Sequence, residues 1–226
     1  MKIIGPVVTT LLFVWSAVCA SSLGVAVVGP LTQTAFKCLA QNQLTGSSNL
    51  FAIIRVYQVS GTPGIDPNAY QTLININTVT VAGGYNIHTY MEICRGTDPT
   101  SQVTAVVNQI SIDLYETIFI KVEPNTTPGC SWEGYNKTDN CNFLTEAINA
   151  VNSLNIGRSG VFSTAHIWES YFGNDCNSIS TVTKYLWYAN YNSSGQVNST
   201  SSFNDFVPFG GWKSPDLKQV GGSITV

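Results

Sequence analysis

The sequence predicts an α/β protein with one domain, built as an irregular TIM-like (β/α)5(β)3 barrel. Short apolar segments alternate five times with helical patterns, and three more apolar segments without helices follow in the last third of the 226 residues. The alternation favours a parallel sheet with right-handed crossovers. Eight strands, of which only the first five carry helices, favour this barrel over the alternative, an open five-stranded doubly wound sheet with a β appendage.

The predicted strands are short apolar runs bounded by turn residues. The five helix-bearing strands are expected at residues 23–28, 51–57, 86–93, 118–123 and 160–163, and the other three at 185–189, 206–209 and 217–220. Helices are expected at residues 34–40, 68–81, 98–114, 143–154 and 165–172. The second helix is ambiguous because Ile74, Ile76 and Val79 are β-branched, but its place between two strands favours a helix.

The strand at 118–123 carries the candidate site. Lys121 and Glu123 lie two positions apart, so both side chains leave the same face of the strand. Opposite charges at the carboxyl end of a core strand are costly unless they face a cleft, and parallel α/β proteins keep their sites at that end. We therefore predict that this pair faces the functional cleft and is not a surface ion pair.

Composition and the first residues predict a secreted protein. A net charge of -3 with 10% charged residues gives no electrostatic footprint for nucleic acid. Lys2, an apolar run to Trp15 and then small residues predict a signal peptide at residues 1–20, cleaved after Ala20 and too short to span a membrane. Residues 21–226 would form the exported domain without a membrane anchor. Four glycosylation acceptors agree with export: Asn125, Asn136, Asn192 and Asn198.

Five cysteines remain after Cys19, so one lacks a partner in an oxidising compartment. Cys130 and Cys141 flank a polar loop and are predicted to form a disulfide. The pairing of the other three, Cys38, Cys94 and Cys176, is left open. The odd thiol is expected to be buried and inert, with an intermolecular bridge or a reactive group as the alternative.

No cofactor or metal is expected. The two histidines, His88 and His166, do not form a metal-binding cluster and are each interpreted as a surface or hydrogen-bonded core residue. The sequence contains no phosphate-binding loop, dinucleotide fingerprint or nucleophile elbow.

Ordered segments along the chain match the motifs of one known family. They lie at residues 23–27, 33–38, 51–56, 90–94, 118–123, 186–191 and 206–212. Residues 118–123 stand where that family has I-W-L-D-x-E, and residues 206–212 where it has F-x-P-x-G-G-W. On these segments the chain resembles glycoside hydrolase family 25, the secreted muramidases that cleave bacterial peptidoglycan, and especially its protist and nematode lysozymes.

The resemblance implies a cleft for peptidoglycan or a related glycan. Aromatic side chains at strand ends would stack on sugar rings, and an adjacent amide would hydrogen-bond the hydroxyls. The residues that the resemblance places there are Tyr90, Trp187, Asn190, Tyr191 and Trp212. For the two tryptophans, a role as core residues is the alternative.

The resemblance implies a set of catalytic acids of which this sequence has only part. Glycoside hydrolysis normally uses two carboxyl groups. Ala26 and Lys121 stand where the family has acids, the family's last V-D-x-N is missing, and Glu123 is the remaining candidate. An ammonium beside Glu123 favours its ionised form, which cannot donate a proton. Glu92 is a weaker candidate for the second carboxylate, and we expect it instead to form an ion pair with Lys121.

The sequence therefore predicts a secreted, lysozyme-like protein that binds glycan and is catalytically impaired. One alternative is an active muramidase, serving bacterial defence or digestion, that uses Glu123 with Glu92. The other is a non-catalytic barrel for protein contacts. The sequence does not determine the oligomeric state.

Overall fold

The structure, a computed structural model, describes residues 9–17, 20–42, 49–80, 85–154, 158–192, 196–197 and 202–221. The strands of this part of the chain are β1 (Thr9–Ala17), β2 (Ala20–Val28), β3 (Asn49–Gln58), β4 (Gly64–Ile65), β5 (Tyr85–Glu92), β6 (Thr117–Lys121), β7 (Arg158–Ser163), β8 (Tyr185–Ala189) and β9 (Leu217–Gln219). The α-helices are α1 (Gln33–Asn42), α2 (Ala69–Thr80), α3 (Pro99–Gln109), α4 (Lys137–Ser153), α5 (Ala165–Tyr171) and α6 (Ile179–Val182). Short 3-10 helices lie at Ile112–Leu114 and Gly173–Cys176.

The described strands form one mostly parallel sheet in an α/β fold. Strands β2, β3, β5, β6, β7, β8 and β9 pair in parallel in that order. Strand β1 pairs antiparallel with both β2 and β9, and β4 pairs antiparallel with the end of β3. The carboxyl ends of seven strands therefore meet at one rim of the sheet, where the site lies.

The predicted alternation of strands and helices is confirmed. Each of β2, β3, β5, β6 and β7 is followed by a helix before the next parallel strand. The ambiguous segment forms α2, with Leu73, Ile76 and Val79 buried at helical spacing against the sheet. Asp98 caps α3 by accepting a hydrogen bond from the Ser101 backbone N–H at 2.6 Å.

The strand predicted at 206–209 does not form. Within the described part of this region, the only β pairing is a single antiparallel bridge between Phe209 and Trp212. Gly210 and Gly211 have φ angles of 59° and 89°, a left-handed conformation that turns the chain back. Strand β1 instead occupies the place between β2 and β9, and it consists of residues that the sequence assigned to the signal peptide.

The buried residues form two layers on opposite faces of the sheet. In β6, Ile118 and Ile120 pack toward the helices, whereas Phe119 packs with Phe51 and Trp187 in the inner layer. This follows from the two-residue period of a strand. Gly160 on β7 leaves room for the Phe119 ring, because a Cβ there would lie 2.4 Å from ring carbons.

The predicted disulfide between Cys130 and Cys141 is wrong. Cys94 at the end of β5 pairs with Cys130, and Cys141 on α4 pairs with Cys176. Cys130 lies against the end of β5, where its carbonyl accepts from the Arg95 N–H at 3.3 Å. The loop thus closes onto the sheet and not onto the helix that follows it in sequence.

Cys38 lies outside both disulfides and is exposed on α1, so the expectation of a buried odd cysteine is also wrong. It is exposed because α1 turns Phe36 and Leu39 toward the core and leaves the intervening positions on its solvent side. Within the described ranges, no helix has the length and apolar character needed to cross a membrane.

His88 is buried on β5 between the rings of Phe51 and Phe119, and neither ring nitrogen has a hydrogen-bond partner among the described residues. It is thus neither the surface residue nor the hydrogen-bonded core residue predicted from the sequence, whereas His166 is exposed. Burial, with a smaller effect of Arg158, lowers the pKa of His88 from 6.5 to about 4.

This burial predicts a stability loss in acid. The unfolded chain binds a proton at His88 below about pH 6.5, whereas the folded chain does so only near pH 4, so folding is disfavoured between these values. From pH 7 to pH 4.5, His88 should lower the free energy of unfolding by about 2–3 kcal/mol. In urea titrations at pH 7 and pH 4.5, His88→Phe should lack this part of the pH dependence of the free energy of unfolding. His166→Gln should retain it. Identical pH dependence in wild type and His88→Phe would contradict the prediction.

Candidate functional site

An ion pair lies at the carboxyl end of β6. The Lys121 ammonium nitrogen is 2.8 Å from Oε2 of Glu123, and the two side chains are 14% and 31% exposed. Both line a narrow cleft of about 230 Å³ at the rim. The two-residue spacing thus places both side chains on one face, as predicted, and they neutralise each other there.

Aromatic rings surround the buried part of Lys121. Its ammonium lies 5.4 Å from the ring centre of Tyr90 and 5.8 Å from that of Phe162. Burial alone would lower the pKa of Lys121, but Tyr90 and Glu123 outweigh it and raise the pKa. Burial raises the pKa of Tyr90 itself to about 12, so this phenol is neutral at pH 7. Glu123 is therefore the counter-ion that keeps Lys121 charged.

Glu92 has a different partner from the one predicted. It lies beside Lys121 in the register of β5 and β6, but its Oε1 is 3.4 Å from the Arg55 guanidinium and its Oε2 accepts from the Val59 N–H at 3.3 Å. Arg55 also donates to Asp66 at 2.8 Å. The expected ion pair between Glu92 and Lys121 is thus replaced by one with Arg55, because β3 brings this guanidinium to the same rim.

Arg55 was missed in the sequence. It lies two and four positions after Ile53 and Phe51, which face the inner layer, so the two-residue period places it on the same face at the rim. A single arginine within an apolar strand was the signal that could have revealed it.

Strands β2 and β9, which lie on either side of β1, contribute no acid to the inner layer among the residues that the structure describes. Ala26 on β2 is buried there with no polar side chain. Gln219, at the end of β9, shares a hydrogen bond with the Tyr191 hydroxyl. Burial, aided by the negative charge of Glu123 and opposed by Lys121, raises the pKa of Tyr191, so this hydroxyl is neutral at pH 7. Gln219 was also missed in the sequence.

A second, wider cleft of about 550 Å³ lies on the other side of Pro124, which lines both clefts. Tyr191 is 37% exposed in it, beside Asn190 and the apolar side chain of Val207. The remaining lining residues are Thr164, Ala165, His166, Ile167, Tyr188, Ala189, Asn192, Asp205 and Phe209. Because Pro124 lines both, the two clefts are neighbours at the rim, and together they are called the groove.

A buried network supports the wall of the wide cleft. The Lys218 ammonium donates to both oxygens of Asp205 at 2.8 Å and to the Ser202 carbonyl at 3.0 Å. Tyr188 and Asn190 also donate to Asp205, at 2.6 and 3.0 Å. Burial opposes ionisation of Asp205, but these hydrogen bonds outweigh it and lower its pKa. The network fixes the Asn190 amide at the cleft. Asp205 and Lys218 were missed because they are 13 residues apart on separate segments.

The structure separates the five aromatic and amide residues predicted to bind glycan. Asn190 and Tyr191 line the wide cleft. Tyr90, Trp187 and Trp212 are at most 4% exposed. Trp187 packs in the inner layer, and Trp212 packs against Trp168 and Phe209. In this structure these three rings do not offer a face to a sugar, so they act as core residues, the alternative noted for the two tryptophans.

The predicted glycosylation acceptors occupy different places. Asn125 lines the narrow cleft and Asn192 the wide one. Asn136 caps α4, where its Oδ1 accepts from the Asp139 N–H at 2.7 Å. Asn198 lies outside the described residues.

Comparison with solved structures identifies the fold. The chain superposes on the muramidase from Acremonium alcalophilum with a TM-score of 0.59 and 15% identity, covering 88% of this chain and 89% of that one. The family GH25 lysozyme from Aspergillus fumigatus gives a TM-score of 0.57 and 17% identity, covering 81% and 83%. At these identities the similarity establishes a fold shared with lysozymes of this type.

Comparison of the sequence identifies the family. Residues 17–220 match the family described as Lysozyme-like protein 1. The chain is 27% identical over 222 residues to probable GH family 25 lysozyme 5 of Dictyostelium discoideum, covering 96% of this chain and 93% of that relative. The chain therefore belongs to the lysozyme-like proteins of glycoside hydrolase family 25, which confirms the resemblance found in the sequence.

The network below the wide cleft should be important for stability. Asp205→Asn keeps the shape of the side chain but removes the negative charge that lies 2.8 Å from the fully buried Lys218 ammonium. We expect the free energy of unfolding to fall by about 3 kcal/mol, since breaking a buried pair leaves an uncompensated charge. Glu169→Gln breaks an exposed pair with Lys137 and should cost less than about 1 kcal/mol. Equal losses in the two urea titrations would contradict this prediction.

Proposed function

We propose that this protein is a secreted, lysozyme-like protein that binds peptidoglycan or a related glycan at the rim of its sheet and hydrolyses it poorly or not at all. The ion pair of Lys121 and Glu123, with 2.8 Å between nitrogen and oxygen, carries the proposal. A glycosidase needs one carboxyl group that can give a proton to the leaving oxygen. In this pair the carboxylate is the charge partner of an ammonium.

The other carboxylate of the narrow cleft does not supply the missing function. Both oxygens of Glu92 have partners, Arg55 and the Val59 N–H. A muramidase that used Glu123 with Glu92 would have to break both interactions and separate Glu123 from Lys121. These contacts favour the impaired protein over the active one.

The wide cleft supports glycan binding. Its volume of about 550 Å³ lies within the range of about 300–1,000 Å³ that is typical of small-molecule sites. The half-exposed Tyr191 ring can stack on a sugar, and the Asn190 amide, held by Asp205, can bond to a hydroxyl. The lysozyme and muramidase relatives suggest peptidoglycan as the ligand.

We further propose that residues 1–20 are a signal peptide and that the protein acts outside the cell as an irregular (β/α)5(β)3 barrel. The two disulfides support an oxidising compartment. Five strands followed by helices, and then β8 and β9 without them, support the (β/α)5 part and two of the three remaining strands. The third strand predicted from the sequence, at 206–209, does not form, and β1 lies beside β9 instead.

An assay of cell-wall clearing tests the loss of hydrolysis. Purified wild type and Glu123→Gln are incubated with a suspension of bacterial cell walls, with an active family 25 muramidase as the positive control. We expect both proteins to leave the turbidity unchanged, because Glu123 is the counter-ion of Lys121 and does not act as a proton donor. Clearing by wild type that Glu123→Gln abolishes would overturn the proposal in favour of an active muramidase.

Binding to insoluble peptidoglycan tests the ligand. Wild type and Glu123→Gln should sediment with it, whereas Tyr191→Ala should bind roughly fivefold more weakly, a loss of about 1 kcal/mol for one stacking ring. Tyr135→Ala removes an exposed ring outside both clefts and should bind like wild type. Wild type that stays in the supernatant would favour a protein-contact barrel instead.

A further inference from the structure

One predicted glycosylation acceptor lies inside the groove. The segment 125–127 begins two residues after Glu123, and its three residues line the narrow cleft together with Lys121 and Glu92. Asn125 is partly buried there, and its Oδ1 accepts from the Thr127 N–H at 2.8 Å. This Asx turn fixes the orientation of the amide at the mouth of the cleft.

Of the three predicted acceptors that the structure describes, Asn125 has the amide nitrogen best placed for modification. Among the hydrogen bonds of the described residues, none uses its Nδ2, the atom to which a glycan attaches. By contrast, Nδ2 of Asn136 donates to Asp139 at 2.8 Å, and Nδ2 of Asn192 donates to Gln196 at 3.4 Å. Asn125 can therefore be modified without loss of a contact that the fold uses.

The loop that carries Asn125 is fixed against the sheet. Cys130 forms a disulfide with Cys94 at the end of β5, and its N–H donates to the Thr127 carbonyl at 3.0 Å. The attachment point at Asn125 is therefore held close in the chain to the ion pair, on a loop whose backbone is fixed.

We infer that Asn125 carries an N-linked glycan whose first sugar units close the narrow cleft over Lys121 and Glu123. In the attachment step, a lipid-linked diphospho-oligosaccharide of the secretory pathway transfers its sugar. The bond between Nδ2 and the anomeric carbon forms, the bond from that carbon to the phosphate oxygen breaks, and the amide proton and the lipid diphosphate leave. No redox change occurs.

The sizes of the two clefts determine which glycans the modified protein can bind. The narrow cleft, about 230 Å³, is smaller than typical ligand sites of about 300–1,000 Å³, so a sugar attached at its mouth takes most of the space. The two clefts meet at Pro124. A polymer that crosses Glu123 needs both clefts, whereas a short saccharide or a chain end needs the wide one alone. The modified protein is thus selective for short or terminal glycan, a consequence that rests on the glycan binding proposed above.

The first part of the test does not depend on ligand binding. The full chain is secreted from a eukaryotic host, and mass spectrometry after enzymatic deglycosylation in heavy-oxygen water measures occupancy at Asn125. Ser60→Cys, at the exposed edge of the narrow cleft, is then labelled with a bulky maleimide in a Cys38→Ser background. Adding Thr127→Ala, which removes the acceptor signal but keeps Asn125, should speed labelling several-fold. Thr138→Ala, which removes the signal at Asn136, should leave the rate unchanged.

The second part measures selectivity with soluble peptidoglycan fragments. Thr127→Ala should bind long fragments several-fold more tightly than wild type and bind a disaccharide equally well. An unmodified Asn125, or equal labelling with and without Thr127→Ala, overturns the inference. If the labelling rates differ but no fragment binds, the result supports closure of the cleft and overturns the proposed glycan binding. Failure of the inference can therefore be told apart from failure of the proposed function.

Discussion

The contact between Lys121 and Glu123 determines the chemistry available at the rim. A strand covered on both faces delivers the two charges to one side, where they are 2.8 Å apart and partly withdrawn from water. Removing either charge would leave the other uncompensated, which is costly at such a position. Each charge of the pair therefore stabilises the other, and the proposal of impaired hydrolysis rests on this contact.

Ion pairing recurs at other described acids of the rim. Glu92 and Asp66 share the guanidinium of Arg55, and Asp205 is bound by Lys218. Each of these carboxylates thus contacts a cation, although Glu92 and Asp66 have only one between them. The paired groups still offer hydrogen-bond donors and acceptors that can hold neutral hydroxyls.

The aromatic residues are divided between the core and the cleft. Trp187 and Tyr90 fill the inner layer, and Trp212 packs behind the wide cleft, so their rings support the groove from below. Tyr191 remains half-exposed at the groove itself. Which of these rings is exposed in this chain is decided by its tertiary packing, since all of them belong to the same aromatic sequence pattern.

Sequence periodicity by itself determined most of the strand–helix alternation and the shared face of Lys121 and Glu123, since each depends on neighbours within a few residues. The helix α2 was predicted from its place between two strands, because its own residues were ambiguous. The family, too, could be recognised from ordered motifs. Only the tertiary structure decided that Cys130 joins Cys94, 36 residues away, and that Glu92 meets Arg55, 37 residues away. These contacts form between strands that pairing brings together, and no local pattern records which strand ends become neighbours. The tertiary fold therefore determines which residue each charge or thiol pairs with, whereas the sequence determines which charges and thiols the chain contains.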